Sequence, residues 1–167
     1  FNSLTSIQNY IYSNQKHLAG QYLSDFARLI RLILENSRHE RINLEKEIET
    51  ISLYMELQKL RFTNKFNFEI VVDPAIDKEI TFVPPMMVQP FLENALEHGL
   101  KNKAEGGGEL QVKYTLLHNS LQYEVRDNGV GFSAAAQQTK LHEGESLSIT
   151  ICRERLQLIE KQTKVRI

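Results

Sequence analysis

The composition of this chain changes near residue 63, and that change constrains the fold more than any other feature. The first 62 residues contain no proline and a single glycine, Gly20, which is typical of a segment built from helices. All four prolines of the chain lie further on, among runs in which apolar and polar residues alternate as they do in strands. The sequence therefore predicts an α+β chain in two units, a helical segment at residues 1–62 and a mixed unit at residues 63–167.

Apolar residues recur at helical spacing along the first unit. Predicted helices cover residues 1–12 and 17–36, and a third begins after Asn43, a residue type that caps helices. The second helix carries one apolar stripe: Leu23, Phe26, Ala27, Ile30, Ile33 and Leu34. The third helix repeats apolar residues at spacings of 4, 3 and 4: Leu44, Ile48, Ile51 and Met55.

The repeat of the third helix suits a helical hairpin or a dimeric helical bundle, and the alternative is a monomeric helical layer that covers a sheet. The segment offers few obvious partners for its own apolar faces. The pattern therefore favours a homodimer, with the monomeric layer as the alternative.

The second unit combines strands and helices. Strands are predicted at residues 66–72, 109–117 and 121–126, and helices at residues 86–98 and 146–161. Pro84-Pro85 suits the first turn of the helix at 86–98, and Gly99 suits its C-terminal end. The small and polar residues 133–145 predict a loop.

The stretch Asp127-Asn-Gly-Val-Gly131 follows the predicted strand 121–126. An ionised carboxylate accepts hydrogen bonds, and so it suits the exocyclic amine of a nucleotide base. Two glycines placed two residues apart let the backbone turn sharply and approach a ligand with no Cβ in the way. The same five residues also suit an ordinary hairpin corner, so the stretch alone leaves both interpretations open.

A second block, further upstream, favours the nucleotide site. Asn94 and His98 are four residues apart, which puts them on one face of the predicted helix. An amide oxygen beside an imidazole suits Mg²⁺ and a phosphate oxygen, because Mg²⁺ prefers oxygen ligands and retained waters. Taken singly, Asn94 suits a surface amide and His98 suits a partner of the helix dipole. Together with Asp127 they indicate a nucleotide site.

Both blocks resemble motifs of a known ATP-binding fold. Asn94-Ala-Leu-Glu-His98 is similar to the N box, and Asp127-Asn-Gly-Val-Gly131 to the first glycine box, of the fold shared by histidine kinases, Hsp90-type chaperones, type II topoisomerases and mismatch-repair ATPases. The resemblance implies that residues 63–167 form a two-layer α/β sandwich of the GHKL, or Bergerat, type, with ATP and Mg²⁺ as cofactors.

The resemblance also implies roles for individual residues. Asn94 would hold Mg²⁺, His98 would lie near the phosphates, and Asp127 would receive the adenine amino group. Gly129 and Gly131 would shape the floor of the pocket. Residues 132–145 would form the lid over the nucleotide.

Within that superfamily the chain is most similar to sensor histidine kinases of the LytS-like class. Five stretches carry this resemblance: Phe1-Asn-Ser-Leu-Thr-Ser-Ile-Gln8, Asn36-Ser-Arg38, residues 53–62, residues 84–95 and Arg153-Glu-Arg-Leu156. The class carries its phosphorylated histidine just before the Phe-Asn pair, so that histidine is expected upstream of Phe1.

The chain departs from the class pattern at its later glycine box. Gly144-Glu-Ser-Leu147 stands where Gly-x-Gly-Leu is usual. Two outcomes are therefore open: the phosphate end of the pocket binds less tightly, or it uses Ser146, with Leu147 as a further cofactor-binding residue. The strands that the class places after Ile167 are also missing, so the chain is expected to be a piece of a longer protein.

The resemblance implies a histidine autokinase. Such an enzyme passes the γ-phosphoryl group of ATP to its own histidine and then to the receiver domain of a response regulator. Glu93 and His98 are the candidate catalytic residues, and Glu93 or Glu97 would accept the proton of the reacting imidazole. The class implies a cytoplasmic portion of a membrane-anchored protein, with any membrane segment outside this chain.

Two other functions stay open. The first is ATP hydrolysis, which is disfavoured because Pro90 stands where those ATPases carry a glutamate that orients water. The second is a dimerisation or docking module without catalysis, which the altered Gly144 box favours.

Composition excludes several other classes of function. The formal net charge is −1 and the isoelectric point is near 6.6, so no basic excess favours nucleic acid as a partner. Cys152 is the single cysteine, which excludes an internal disulfide and a cysteine-based zinc site. No apolar run has the length needed to span a bilayer.

Overall fold

The computed structural model describes residues 2–62, 65–101, 107–118 and 120–130. In chain order the elements are α1 (Asn2–Tyr12), α2 (Lys16–Asn36), β1 (Ile42–Asn43), α3 (Leu44–Arg61), β2 (Phe66–Val72), β3 (Phe82–Val83), α4 (Gln89–Asn94), a π-helix (Ala95–Leu100), β4 (Gly108–Leu117) and β5 (Ser120–Asp127). Helix α4 runs directly into the π-helix, and the two together are the 89–100 helix below. The predicted α+β class is confirmed.

The three helices at the start of the chain pack on one another. Tyr22 and Leu29 of α2 form a small buried cluster with Leu57 of α3. The Tyr10 hydroxyl of α1 donates a hydrogen bond to the carbonyl oxygen of Leu60 at 2.9 Å. The expectation that these helices have few partners within their own segment is therefore wrong, because α1 and α3 together cover one side of α2.

Helix α3 packs its predicted apolar repeat beneath the sheet. Leu44, Ile51 and Met55 are buried in the main core, which also contains Leu110 and Val112 of β4. For α3 the helical layer over a sheet is therefore the arrangement found. Since Leu57 lies in the other cluster, α3 joins the helical segment to the mixed unit.

The main sheet has three strands in the order β2-β4-β5. Strand β2 is parallel to β4, with Phe66 opposite Gly108, and β4 is antiparallel to β5, with Leu110 opposite Asp127. From Gly108 to Tyr114 every second residue of β4 is buried, which is the alternation expected of a strand with one face on the core. The register puts the end of β5 beside the beginning of β4.

The helix predicted at residues 86–98 begins and ends later than expected. Met86 has a φ of 63°, a left-handed value that a non-glycine residue rarely adopts. Its N–H donates to Oε2 of the buried Glu47 at 3.0 Å, a contact that holds the segment in a turn. The helix starts at Gln89, with Pro90 in its first turn, and the π-helix carries it past Gly99 to Leu100.

Two short elements escaped prediction. Ile42 pairs with Val83, and Asn43 with Phe82, in a two-stranded antiparallel sheet. Two-residue strands are too short to show an apolar period.

Residues 133–161, with the predicted loop and the last helix, lie outside the described residues. No helix within the described ranges has the length and apolar character needed to cross a membrane.

The predicted N-cap of α3 is confirmed, because Asn43 Oδ1 accepts a hydrogen bond from the Lys46 N–H at 3.1 Å. Asn43→Ala should lower the free energy of unfolding by about 1 kcal/mol, since that N–H then lacks its acceptor. Asn43→Asp retains the acceptor and should stay close to the wild type. Denaturant titration of the three proteins measures the difference, and an alanine variant as stable as the aspartate variant would contradict the capping role.

Candidate functional site

The 89–100 helix and the end of β5 meet at two glycines. A Cβ on Gly129 would come within 2.5 Å of the Gly99 Cα, and a Cβ on Gly99 would overlap the Asp127 carboxylate, 3.0 Å from its Cγ. The Val130 N–H donates to the Gly99 carbonyl oxygen at 3.2 Å. Gly99 was predicted at the end of the helix, but the π-helix continues to Leu100. The absence of a Cβ on Gly99 leaves room for the Asp127 carboxylate, and its absence on Gly129 lets the two backbones approach closely.

Asp127 ends β5 with its side chain exposed. Its Oδ1 accepts the N–H of Gly129 at 2.9 Å, the local turn that Asp commonly makes with the backbone two residues on. Among the described residues this is the one hydrogen bond made to the carboxylate, so Oδ2 can accept another. The geometry suits a base amine that approaches from solvent beside Gly99.

Asn128 has a structural role that the sequence analysis missed. Its Oδ1 accepts the Glu109 N–H at 2.8 Å, and its Nδ2 donates to the Gly107 carbonyl oxygen at 3.2 Å. These bonds tie the residue after Asp127 to the beginning of β4, where Gly107 has a φ of 86°. Asn at a strand end commonly bonds backbone, but partners 19 and 21 residues away cannot be inferred from spacing.

Asn94 and His98 lie on the helix that ends at this contact. Asn94 is half-buried at the end of α4, and His98 is exposed in the π-helix. The Lys101 N–H bonds to the Leu96 carbonyl oxygen at 2.9 Å, which is the five-residue step of a π-helix, an irregularity often found at functional sites. Gly99, which contacts Asp127, follows Asn94 by little more than a turn, so the two predicted blocks lie on the same side of the molecule.

The two acidic residues of this helix differ in their environment. Glu93 is half-buried and accepts a hydrogen bond from Gln89 Nε2 at 3.0 Å. Glu97 accepts one from Arg61 at 2.6 Å and one from Lys101 at 2.8 Å. Burial acts to raise the pKa of Glu97, but the hydrogen bonds from Lys101 and Arg61 outweigh it and hold this pKa below its ordinary value. Its two cationic partners therefore make Glu97 a poor candidate for a proton acceptor.

The remaining predicted site residues are not described. Gly131, Ser146 and Leu147 lie outside the described residues, as does the predicted lid at 132–145. The structure thus brings Asp127 and Gly129 against Gly99, on the helix that also carries Asn94 and His98. Their roles toward a ligand stay predictions.

Comparison with known proteins bears on the chain as a whole. The family model described as histidine kinase matches residues 1–66. The sensor protein LytS of Staphylococcus epidermidis is 26% identical over 134 residues, which cover 80% of this chain and 22% of that protein. The sensor histidine kinase/phosphatase LytS of Staphylococcus aureus is 31% identical over 136 residues, with the same two shares of 80% and 22%.

The chain belongs to the LytS-like sensor histidine kinases. The family match at 1–66 covers the helices α1, α2 and α3 and reaches the first residue of β2. This LytS-like chain spans 22% of the length of the relatives it matches. What the whole protein does is therefore a matter for proposal.

The close contact in this LytS-like chain predicts opposite effects for two glycine substitutions. Gly129→Ala should lower the free energy of unfolding by about 1–3 kcal/mol, because the new Cβ overlaps the backbone of Gly99. Gly20→Ala in α2 meets nothing within 4 Å and should raise stability by up to about 1 kcal/mol through helix propensity. Thermal and denaturant unfolding measure both. Effects of the same sign would contradict the packing role of Gly129.

Proposed function

We propose that this chain is the ATP-binding region of a two-component sensor histidine kinase. It binds Mg²⁺ and ATP where the 89–100 helix meets the end of β5. The contact of Gly99 with Asp127 and Gly129 carries the proposal, because it joins two motifs that lie far apart in sequence. Both motifs belong to one nucleotide site in the GHKL fold that the sequence resembles.

The residues at this contact fit an adenine base. Asp127 is exposed, and its Oδ1 accepts a hydrogen bond from the Gly129 N–H. Its Oδ2 can then accept a hydrogen bond from an amino group. Gly99 and Gly129 pack against each other with no side chain between them, which keeps the Asp127 carboxylate at the end of the 89–100 helix.

The donor set further along the helix fits a hydrated Mg²⁺. Asn94 supplies an amide oxygen from a half-buried position, and Mg²⁺ bound to nucleotide usually takes few protein ligands and keeps several waters. Bound Mg²⁺ and ATP would supply the γ-phosphoryl group and neutralise part of its charge. His98 is exposed on the following turn and would hydrogen-bond a phosphate oxygen.

We propose that the phosphoryl group goes to a histidine upstream of Phe1 and then to a response-regulator receiver domain. Glu93 would accept the proton of the attacking imidazole, a role for which its half-buried carboxylate is better suited than the paired Glu97. Pro90 occupies the first turn of α4 at the position where ATPases of the fold carry a water-orienting glutamate. Because proline has no polar side chain, this observation favours the kinase over the ATPase.

An exposed apolar stripe on α2 supports a homodimer. Leu23, Ile30 and Leu34 have exposed fractions of 53%, 41% and 60%, and with the exposed Ala27 they follow spacings of 4, 3 and 4. An apolar stripe with this period is the pattern along which two helices pack side by side. The other side of α2 is already covered by α1 and α3, so we propose that this stripe contacts a second copy of the chain.

Asp127→Asn should weaken Mg²⁺-ATP binding about 10- to 100-fold, because a hydrogen bond to a charged acceptor is lost and an amide donor then faces the adenine amine. The asparagine keeps an oxygen for the Gly129 N–H, so the turn is retained. Glu124→Gln, on the same strand and paired with Arg126, is the matched control. Calorimetric titration with ATP and Mg²⁺ measures both variants.

The same proteins distinguish the candidate functions. The full-length protein that carries this chain should incorporate label from ATP that is acid-labile and base-stable, as phosphohistidine is, and Asp127→Asn should lose it. Steady phosphate release without such label would favour the ATPase. Absence of nucleotide binding by the wild type would favour the docking module.

Ile30→Glu should shift the protein from dimer to monomer, because it puts a charge in the middle of the exposed stripe. Gln21→Glu adds the same charge to the exposed polar side of α2 and should leave the dimer intact. Light scattering over a range of concentrations gives the mass of each. A wild type that is monomeric at all concentrations would end the dimer proposal.

A further inference from the structure

A line of polar side chains runs between α3 and the 89–100 helix. On α3 it consists of Tyr54, Gln58 and Arg61, and on the 89–100 helix of Gln89, Glu93 and Glu97. Each set recurs every three or four residues, so each lies along one face of its helix. We call these six residues the polar seam. It begins in the core and ends at the turn that carries Asn94 and His98.

Arg61 lies at the outer end of the polar seam, where neighbouring side chains hold its guanidinium in place. Its Nη2 lies 2.6 Å from Glu97 Oε1, and its Nη1 donates to Gln58 Oε1 at 3.1 Å. The guanidinium also sits over the Phe62 ring, 4.8 Å from the ring centre. With contacts on three sides and a side chain only 19% exposed, Arg61 has little freedom to move independently of α3.

Glu97 connects Arg61 to the candidate site, because it lies on the same turn as the predicted site residues. It is adjacent to His98 and three residues after Asn94, within the π-helix. A π-helix has a looser hydrogen-bond pattern than an α-helix, so a side-chain tether has more influence on its backbone. The second partner of Glu97, Lys101, lies one turn along the same helix and is 52% exposed. Lys101 therefore gives Glu97 no connection to α3.

The inner end of α3 also contacts the segment that leads into the 89–100 helix. Glu47, which is 1% exposed, accepts the Met86 N–H at 3.0 Å. A small cleft lies between them, lined also by Thr50, Tyr54 and Gln89. Burial, and after it the nearby Glu93 carboxylate, raise the pKa of Tyr54 well above its ordinary value. Helix α3 therefore contacts the 89–100 helix at Glu97, near its C-terminal end, and contacts the segment just before its N-terminal end at Met86.

We propose that Arg61 is a positioning residue, which through Glu97 fixes the turn of Asn94 and His98 relative to α3. A displacement of α3 then alters how that turn meets Mg²⁺ and the phosphates, so the helical segment controls the phosphate end of the site. The control of activity rests on the proposed function. The Arg61–Glu97 contact itself, which we call the tether, does not.

The tether is tested first without nucleotide. Arg61→Gln and Lys101→Gln each remove one cation from Glu97, but only the first disconnects α3. Hydrogen exchange of the amides of residues 95–101 should accelerate about tenfold in Arg61→Gln, because local opening becomes easier. It should stay at the wild-type rate in Lys101→Gln, since an exposed pair of this kind contributes little. Equal exchange in the two variants would overturn the proposal.

The second measurement uses Mg²⁺ and ATP with the full-length protein. Arg61→Gln should lower the rate of autophosphorylation about tenfold, because a small misplacement of a positioning group has effects of that order. It should also raise the Mg²⁺ concentration needed for half-maximal rate, which a loss of folded protein would not do. Arg61→Lys, which keeps the charge, should restore most of the rate.

Two outcomes separate the inference from the proposed function. A wild type that binds no nucleotide would end the proposed function, while the exchange comparison would still decide the tether. A normal wild type with Arg61→Gln and Lys101→Gln equal in Mg²⁺ dependence would end the inference alone. If Arg61→Gln does not fold, Glu97→Gln replaces it. That variant should show the same faster exchange, and wild-type exchange would contradict the tether.

Discussion

The close approach of Gly99 and Gly129 is the contact on which the candidate site depends. The two backbones can come this near because Gly129 carries no Cβ, and the Asp127 carboxylate has room because Gly99 carries none. The approach brings Asp127 to the end of the helix that bears Asn94 and His98, and the Val130 N–H bond to Gly99 secures it. Asn128 holds the same corner to the start of β4. A side chain at Gly129 would push the two halves of the site apart.

Helix α3 links this corner to the rest of the chain. Its apolar side fills the core beneath the sheet, with Leu44, Ile51 and Met55 buried, while Leu57 packs with α2. Between these faces the polar seam runs along the 89–100 helix as far as Glu97. One rigid helix therefore contacts both the helical segment and the candidate site. The proposed role of Arg61 depends on this arrangement of α3.

Much of the local structure could be predicted, because periodicity and residue preference act over a few residues. Strand β2 was predicted with its observed bounds, and Asn43 was predicted to cap α3. The start of the 89–100 helix was wrong, since Pro84-Pro85 was taken as its first turn. Glu47, far away in sequence, holds Met86 in a left-handed turn and delays the helix to Gln89. No local pattern could reveal that contact.

By itself the sequence determined the types of element, the chemistry of Asp127 and Asn94 and the resemblance to a family. The tertiary structure decided which apolar stripe was covered, why Gly99 is a glycine and which cation meets Glu97. Part of the α2 stripe packs against its neighbours while the rest stays exposed, although both parts look alike in sequence. The physical reason is distance along the chain. Helical and strand preferences act between near neighbours, whereas Arg61 meets Glu97 across 36 positions and only through packing.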